Sequence, residues 1–229
     1  MMRQASLIIL LFCLLAGQKG FAQETAKVDS SYLGGHYTMR LDFYRKMPNQ
    51  KKEIVFLGNS ITEVGEWQEL LPGLPVVNRG ISGDVSWGVL ARLDEVLASK
   101  PAKIFIAIGV NDIKRGTPTS YIVHNYRRML QRIQQESPKT KVYLQSILPV
   151  NEPMLAAIYK NITNARIQEL NTQLQALAQG QKNVRYVNIH PALVDSTGQL
   201  DKDLSTDGLH LKLVAYIKWV EQLKKEKAL

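Results

Sequence analysis

Five short segments rich in β-branched and aromatic residues recur along this chain, and segments with the periodicity of amphipathic helices separate them. The five segments cover residues 54–57, 75–78, 103–108, 141–145 and 184–189. Short runs rich in β-branched and aromatic residues are typical of buried strands. Because strands that alternate with helices form a parallel sheet covered on both faces, the pattern predicts an α/β fold with three αβα layers. Five such strands commonly take the flavodoxin-like order 2-1-3-4-5, which we expect here.

Apolar residues at helical spacing place helices before, between and after these strands. One helix is predicted within residues 32–47, and a single helix is predicted through residues 89–97. Further helices are expected within residues 122–133 and 167–177, and a last one after His210. No repeat, low-complexity tract or linker interrupts this order, so we expect one domain.

The first 22 residues differ in composition from the rest of the chain. Arg3 precedes an apolar run from Leu7 to Ala16, and Gly20-Phe21-Ala22 offers small residues at the positions that a signal peptidase reads. This arrangement predicts a secretory signal peptide over residues 1–22, cleaved after Ala22. We therefore expect residues 23–229 to form the mature domain, in a secreted or periplasmic protein.

The composition is that of a globular protein, with 45% hydrophobic and 21% charged residues among 229. The formal charge is +9, and loss of Arg3 and Lys19 with the signal would lower it by two, to +7. The basic residues are spread along helical segments without interleaved aromatic residues, which indicates a solvated surface and no nucleic-acid partner. The single cysteine, Cys13, lies in the predicted signal, so the mature chain would lack a thiol nucleophile and thiolate metal ligands. The apolar run of the signal is too short to span a bilayer, so no stable membrane insertion is expected after cleavage.

Serine, glycine, asparagine and an Asp/His pair follow the predicted strands at their carboxyl ends. Ser60 follows the first strand, Gly83 ends the loop after the second, and Asn111 follows the third. Asp207 and His210 lie on the loop after the fifth strand. In a sheet of order 2-1-3-4-5, ligands bind at this edge, near the point where the strand order reverses. We therefore expect these residues to meet at one site.

These residue types are the ones that acyl transfer requires. Ser60 needs a base to accept its proton, and His210 is the natural base. Asp207 would bind the other ring nitrogen of His210 and orient the ring. The donors for a developing oxyanion would be the backbone N–H groups of Ser60 and Gly83 and the side-chain amide of Asn111.

Four segments together resemble the sequence blocks of the SGNH hydrolases, also called GDSL-type esterases. They are Gly58-Asn59-Ser60-Ile61, Asn78-Arg79-Gly80-Ile81-Ser82-Gly83-Asp84, Gly109-Val110-Asn111-Asp112 and Asp207-Gly208-Leu209-His210. The resemblance runs from about Glu53 to the C-terminus. It implies the SGNH hydrolase fold and a serine esterase or lipase without a metal or other cofactor, with the catalytic roles assigned above. The aspartate that the family carries before the serine is Asn59 here, which we expect to change only local hydrogen bonds.

The resemblance is nearest to the branch of platelet-activating-factor acetylhydrolase-like proteins and sialate or other sugar O-acetylesterases. The loops expected to set acyl-chain length contain no long apolar lid of the kind a lipase would use. We therefore expect hydrolysis of short-chain acyl esters, above all acetyl esters, on carbohydrates such as sialic acid or plant or host glycans. The alternatives are a lysophospholipase or lipid acetylhydrolase of the same fold, and a non-catalytic glycan-binding domain. Neither G-x-G-x-x-G nor a phosphate-binding P-loop follows the first strand, which argues against a nucleotide-binding domain.

Other residues of similar chemistry are expected to have structural roles. Ser82 precedes a glycine but lacks the second glycine of a G-x-S-x-G elbow. Trp87 could stack on a sugar ring, although packing against the following helix is favoured. The histidines without an acid spaced as Asp207 is from His210 are expected to be structural or on the surface. They are His36, His124 and His190.

Overall fold

The computed structural model describes residues 29–229, which form a parallel sheet with helices on both faces. The strands are β1 (Ile54–Gly58), β2 (Val76–Gly80), β3 (Lys103–Ala107), β4 (Lys141–Gln145) and β5 (Val184–Val187). The helices are α1 (Gly35–Lys46), α2 (Ser60–Glu63), α3 (Trp67–Leu70), α4 (Ser86–Ala91), α5 (Leu93–Leu97), α6 (Val110–Lys114), α7 (Thr119–Glu136), α8 (Asn164–Ala178) and α9 (Leu213–Lys225). The strand order β2-β1-β3-β4-β5 confirms the flavodoxin-like prediction. The predicted signal peptide lies outside the described residues.

The direction in which the chain crosses the sheet places the helices on two faces. After β2 at one edge, the chain returns past β1 to form β3, so the strand order reverses between β1 and β3. Right-handed crossovers then place α3 on one face, and α4, α5, α7 and α8 on the other. In agreement, α3 contacts α9, whereas α7 contacts α4, α5 and α8. Among the described helices, none is both long and apolar enough to cross a membrane.

A row of aromatic rings on one face of the sheet packs against α3 and α9. Phe56, Phe105 and Tyr143 lie side by side in the register of β1, β3 and β4. Their ring centroids are 4.8 and 4.6 Å apart. Trp67 of α3 stacks on Phe56 at 3.9 Å and meets the ring of Trp219 of α9 edge-on at 5.3 Å. These large buried rings fix the two helices against the centre of the sheet.

β2 ends two residues later than predicted, because Arg79 and Gly80 belong to the strand and not to the loop. Gly80 pairs with Gly58 at the end of β1. A Cβ on Gly80 would lie 2.2 Å from the backbone nitrogen of Glu63, so α2 can cross here only over a glycine. β5 is shorter than predicted and ends at Val187.

The helix predicted through residues 89–97 is two helices, α4 and α5, which meet at Arg92. The Arg92 side chain is fully buried, and its Nε donates to Oδ2 of Asp84 at 2.9 Å. Its Nη2 donates to the carbonyl oxygens of Gly58 at 3.1 Å and Arg79 at 2.9 Å. The backbone leaves helical geometry (φ −106°, ψ 13°) at this residue. The buried guanidinium thus ties the ends of β1 and β2 to the loop after β2.

Replacing Arg92 by methionine should lower the free energy of unfolding by about 3–5 kcal/mol, because the Asp84 carboxylate would stay buried without its partner. Urea denaturation followed by circular dichroism measures this loss. Arg132→Met is the matched control: Arg132 donates to Glu136 at 2.8 Å on α7, where the two side chains are 35% and 39% exposed. The control should lose less than about 1 kcal/mol. Equal losses in the two variants would contradict an anchoring role for the Asp84–Arg92 pair.

Candidate active site

Three side chains from distant parts of the sequence meet at the carboxyl end of β1. Ser60 Oγ lies 3.2 Å from His210 Nε2, although the two residues are 150 positions apart. His210 Nδ1 lies 2.8 Å from Asp207 Oδ2 on its other side. An imidazole placed in this way can accept the serine proton while the carboxylate holds the ring in position. The structure therefore brings together the three side chains that the sequence nominates.

The turn that carries Asp207 and His210 is held by its own backbone. Asp207 Oδ1 accepts hydrogen bonds from the N–H groups of Leu209 at 3.0 Å and His210 at 2.7 Å. Gly208 has φ +84°, and a Cβ there would lie 2.7 Å from the carbonyl oxygen of Asn151, so the turn requires glycine. Partial burial raises the pKa of Asp207, but the hydrogen bonds from His210 and Leu209 outweigh it and hold that pKa below its ordinary value. The carboxylate is therefore charged where it faces the imidazole.

The predicted oxyanion donors Gly83 and Asn111 lie after β2 and β3. Gly83 is exposed with φ +81°, and no atom lies within 4 Å of the place a Cβ would occupy. The surface beside its backbone is therefore open. Asn111 Nδ2 donates to the carbonyl oxygen of Asp84 at 3.0 Å, and the amide group carries a second N–H. This bond ties the Asn111 side chain to the residue that follows Gly83, so the two donors are held relative to each other.

Asp112, next to Asn111, is a fully buried carboxyl group that binds the start of α4. It accepts hydrogen bonds from the N–H of Ser86 at 3.0 Å and from the Ser86 hydroxyl at 2.5 Å. Asn125 Nδ2 in turn donates to Ser86 Oγ at 2.9 Å. Burial raises the pKa of Asp112 to about 6, although the hydrogen bonds from Ser86 oppose this rise. The contact locks α6, which carries Asn111, against the segment after Gly83.

Glu63 is a contact residue of this region that the sequence analysis missed. Its Oε2 accepts hydrogen bonds from the Ser82 N–H at 2.6 Å and from the Ser82 hydroxyl at 2.5 Å. The rival serine is therefore bound to a carboxylate rather than to a histidine. His36 Nε2 also lies 3.1 Å from the carboxylate, so His36 has an acid partner that its sequence neighbours do not supply. In the sequence, only its position three residues after Ser60 indicates that Glu63 lies near the site.

Asn59 and His190 make local structural contacts. Asn59 Oδ1 accepts the N–H of Ile61 at 3.0 Å and so caps α2 directly beside Ser60. His190 Nε2 lies 3.0 Å from the carbonyl oxygen of Ile147, and burial lowers its pKa. Both contacts agree with the local and structural roles expected of these residues.

Trp87 packs on a neighbouring helix and also borders a groove. The half-buried ring lies 6.3 Å from that of Tyr121 on α7, at an interplanar angle of 30°. Tyr32 and the side chain of Arg128 line the same groove. Trp87 itself follows Gly83 by four residues. The Trp87 ring therefore packs against a helix, as the sequence favours, and can still contact a ligand in the groove.

A small, mostly apolar cavity of ≈ 20 Å³ lies next to the three site segments. Ile61, Val110 and Leu209, which directly follow or precede Ser60, Asn111 and His210, are part of its lining. A volume of this size holds about one water-sized or methyl-sized group. Within residues 29–229, no three His, Cys, Asp or Glu side chains are grouped to hold a metal ion.

Comparisons with known proteins agree with this fold. The sequence model of the GDSL-like lipase/acylhydrolase family matches residues 56–216. The solved structure of a candidate platelet activating factor from Streptococcus pneumonia is 34% identical and covers 83% of this chain and 92% of its own, with a TM-score of 0.78. A GDSL-like lipase from Bacteroides thetaiotaomicron is 28% identical over 84% of this chain and 98% of its own, with a TM-score of 0.70. The platelet-activating factor acetylhydrolase IB subunit alpha2 of Rattus norvegicus is 28% identical over 204 residues, which are 86% of this chain and 83% of that protein.

The buried carboxyl of Asp112 should make stability fall as the pH rises from about 4 to about 6. Its pKa is raised in the folded state, so the folded protein holds this proton more tightly than the unfolded chain, and that stabilisation is lost as pH rises through the folded pKa. The difference in unfolding free energy between wild type and Asp112→Asn should shrink by about 2–3 kcal/mol across this window. Urea denaturation at several pH values measures it, with Asp94→Asn, an exposed carboxylate on α5, as the control. A difference that stays constant with pH would contradict the shifted ionisation.

Proposed function

Since the chain belongs to the GDSL-like lipase/acylhydrolase family and is a carboxylic ester hydrolase of the SGNH type, we propose that Ser60 hydrolyses short-chain acyl esters, above all acetyl esters. The observation that carries the proposal is the contact of Ser60 Oγ with His210 Nε2 at 3.2 Å, backed by Asp207 at 2.8 Å from Nδ1. A serine hydroxyl alone is a weak nucleophile at neutral pH, and this contact supplies its base.

In the proposed reaction, Ser60 Oγ attacks the ester carbonyl while His210 Nε2 accepts the hydroxyl proton. The new C–O bond converts the carbonyl oxygen to an oxyanion, which the N–H groups of Ser60 and Gly83 and the amide of Asn111 would bind. His210 then returns the proton to the leaving alcohol as the acyl–oxygen bond breaks. A water molecule then attacks the acyl-enzyme while His210 accepts one of its protons. The bond between the acyl carbon and Ser60 Oγ breaks, His210 returns the proton to Oγ, and the acid is released. Asp207 stabilises the imidazolium but accepts no proton.

The cavity beside the site supports a short acyl group. Ile61, Val110 and Leu209 are between 3% and 8% exposed and border a space of ≈ 20 Å³. The methyl group of an acetyl ester matches this volume, whereas a longer chain would have to displace packed side chains. Forcing extra methylene groups into a packed interior costs about 1–3 kcal/mol.

We propose that the substrate is an ester in which the acyl group is attached to a hydroxyl group of a carbohydrate. The rings of Trp87 and Tyr32 border an open groove shortly after the Gly83 loop, and aromatic faces bind the apolar faces of sugar rings. Arg128 in the same groove would favour an anionic sugar such as sialic acid. The predicted signal peptide supports a location in the periplasm or outside the cell, where such glycans occur.

A lipid acetyl ester is the second candidate, because apolar side chains are exposed next to the base. Leu213, Val214 and Ile217 at the start of α9 are 60%, 49% and 50% exposed, and the helix begins three residues after His210. Exposed apolar residues grouped in this way can contact a lipid surface. The relative that is 28% identical to this chain is named a platelet-activating factor acetylhydrolase subunit.

The substrate proposal is tested with p-nitrophenyl esters of increasing chain length, followed by natural esters. Going from acetyl to butyryl should lower kcat/KM roughly 10–100-fold, because the cavity takes only a methyl-sized group. Leu209→Ala should enlarge the cavity and raise the butyryl-to-acetyl ratio, a ratio that does not depend on how much enzyme is folded. Higher rates on longer chains would contradict the short-acyl proposal. Faster hydrolysis of O-acetyl sialic acid or acetylated plant glycans than of acetylated phospholipid vesicles would favour the carbohydrate over the lipid.

Ser60, His210 and Asp207 should act as one unit. Ser60→Ala and His210→Ala should each lower kcat by roughly 10⁴–10⁶-fold, and Asp207→Ala roughly tenfold to a hundredfold less. The double variant His210→Ala/Asp207→Ala should be scarcely worse than His210→Ala alone, because the carboxylate acts through the imidazole.

The measurement is kcat and KM on p-nitrophenyl acetate, with fluorophosphonate labelling and peptide mapping to identify the nucleophile. Labelling of Ser82, or losses that multiply in the double variant, would contradict the assignment. Full activity of Ser60→Ala would show that another group performs the hydrolysis and would contradict the proposal. A wild-type protein that hydrolyses no ester faster than the buffer does would instead point to a glycan-binding domain.

A further inference from the structure

The Glu63 carboxylate lies between the loop that carries Gly83 and helix α1. Oε2 accepts the N–H and the hydroxyl of Ser82 at 2.6 and 2.5 Å. Oε1 lies 3.0 Å from Arg40 Nε, and both oxygens lie 3.1 Å from His36 Nε2. The Glu63 side chain is only 14% exposed, although its partners Ser82 and His36 are exposed. Partial burial raises the pKa of Glu63, but the hydrogen bonds from Ser82 and His36 outweigh it and lower that pKa, which keeps the carboxylate charged.

The loop needs this contact because its middle is exposed. Ile81 is held by its N–H, which donates to the carbonyl oxygen of Gly58 at 3.0 Å, and Asp84 is held by its buried pair with Arg92. Ser82 and Gly83 between these anchors are both exposed. The N–H of Gly83 belongs to the peptide unit that begins at Ser82, so the orientation of Ser82 sets the direction of that N–H. Glu63 binds Ser82 through two atoms and therefore fixes its orientation.

Helix α1 holds Glu63 in place from outside the region that the family model matches. Tyr37 donates to the carbonyl oxygen of Gly88 at 2.8 Å, and Tyr44 donates to that of Gly80 at 2.5 Å. Tyr37, Tyr44 and Leu41 pack around Ile81 in a cluster separate from the main core. The helix thus contacts both ends of the Gly83 loop and brings the positive charge of Arg40 to the carboxylate.

We propose that Glu63 is a positioning residue for the oxyanion hole: it orients the Gly83 N–H through Ser82, and α1 holds it for that task. The role rests on the proposed serine-esterase function, since it needs an oxyanion at Ser60. Glu63 touches neither the ester nor the reacting atoms. Its effect is on the transition state, where the negative charge on the oxygen develops, and much less on the neutral ester.

Glu63→Ala should lower kcat on p-nitrophenyl acetate roughly 10–100-fold while KM changes less than about threefold, because a misdirected donor is lost mainly in the transition state. Glu63→Gln, which keeps one acceptor oxygen, should lower kcat less than Glu63→Ala does.

Methylboronic acid forms a tetrahedral adduct on serine with an oxygen in the oxyanion hole, so its inhibition constant should rise by about the same factor as kcat falls. Ser82→Ala, an exposed change with little effect on folding, should move both quantities in the same direction. The double variant Glu63→Ala/Ser82→Ala should be no worse than Glu63→Ala alone within about threefold, since the two residues act in series.

Glu136→Ala is the matched control, because Glu136 also pairs with an arginine at 2.8 Å but lies on α7. It should leave kcat and boronate inhibition unchanged. All rates are expressed per fluorophosphonate-reactive site, so that partial unfolding does not count as lost catalysis. Wild-type kcat and boronate affinity in Glu63→Ala and Ser82→Ala, with Ser60→Ala inactive, would overturn the positioning role and leave the esterase intact. Activity that persists in Ser60→Ala would instead overturn the esterase proposal itself.

Discussion

The buried ion pair between Asp84 and Arg92 is the contact on which the rest of this edge of the sheet depends. The guanidinium binds the carboxylate and the carbonyl oxygens at the ends of β1 and β2, all without exposure to water. A charge pair so deep in the protein adds little net stability compared with apolar side chains, but it tolerates only one geometry. The backbone of Asp84 then receives the Asn111 amide, and the loop with Gly83 leaves from the same point. One pair thus determines where β1, the Gly83 loop and the Asn111 side chain lie relative to one another.

The two halves of the site are built in different ways. The half with Asp207 and His210 is a short turn whose carboxylate binds the two backbone N–H groups that follow it, so it needs few outside partners. The half with Gly83 and Asn111 depends on residues from α1, α2, α4 and α6, through Glu63, Ser86 and Asp112. Substitutions elsewhere in the chain should leave the geometry of a local turn unchanged. A substitution in any of the four helices can shift residues that depend on contacts among all of them. We therefore regard the oxyanion side as the more sensitive half.

Sequence periodicity predicted the sheet well, because β1, β3 and β4 each contain at least three consecutive apolar residues and the order follows from a general rule for such folds. The site residues could also be named, because Ser60, Gly83, Asn111 and the Asp207–His210 turn all follow strand ends. What the sequence could not show depends on contacts between distant residues. The break at Arg92 follows from a side chain that reaches two strand ends, and apolar spacing carries no trace of it. The contact of Glu63 with His36 joins residues 27 positions apart, and neither residue has a neighbour that points to the other.

The separation of Ser60 and His210 by 150 positions in the sequence has a consequence for the timing of synthesis. While the polypeptide leaves the ribosome, β1 and its serine emerge long before the turn that bears the imidazole. On the proposed mechanism, any fragment that stops ahead of that turn carries the Ser60 hydroxyl with no base beside it. In the folded protein, α9 packs Trp219 against Trp67, and the hydroxyl of Tyr216 donates to the carbonyl oxygen of Ile61, the residue after Ser60, at 2.7 Å. On the proposed mechanism, a chain that is still too short to form α9 therefore has its serine but not the contacts that hold the base beside it.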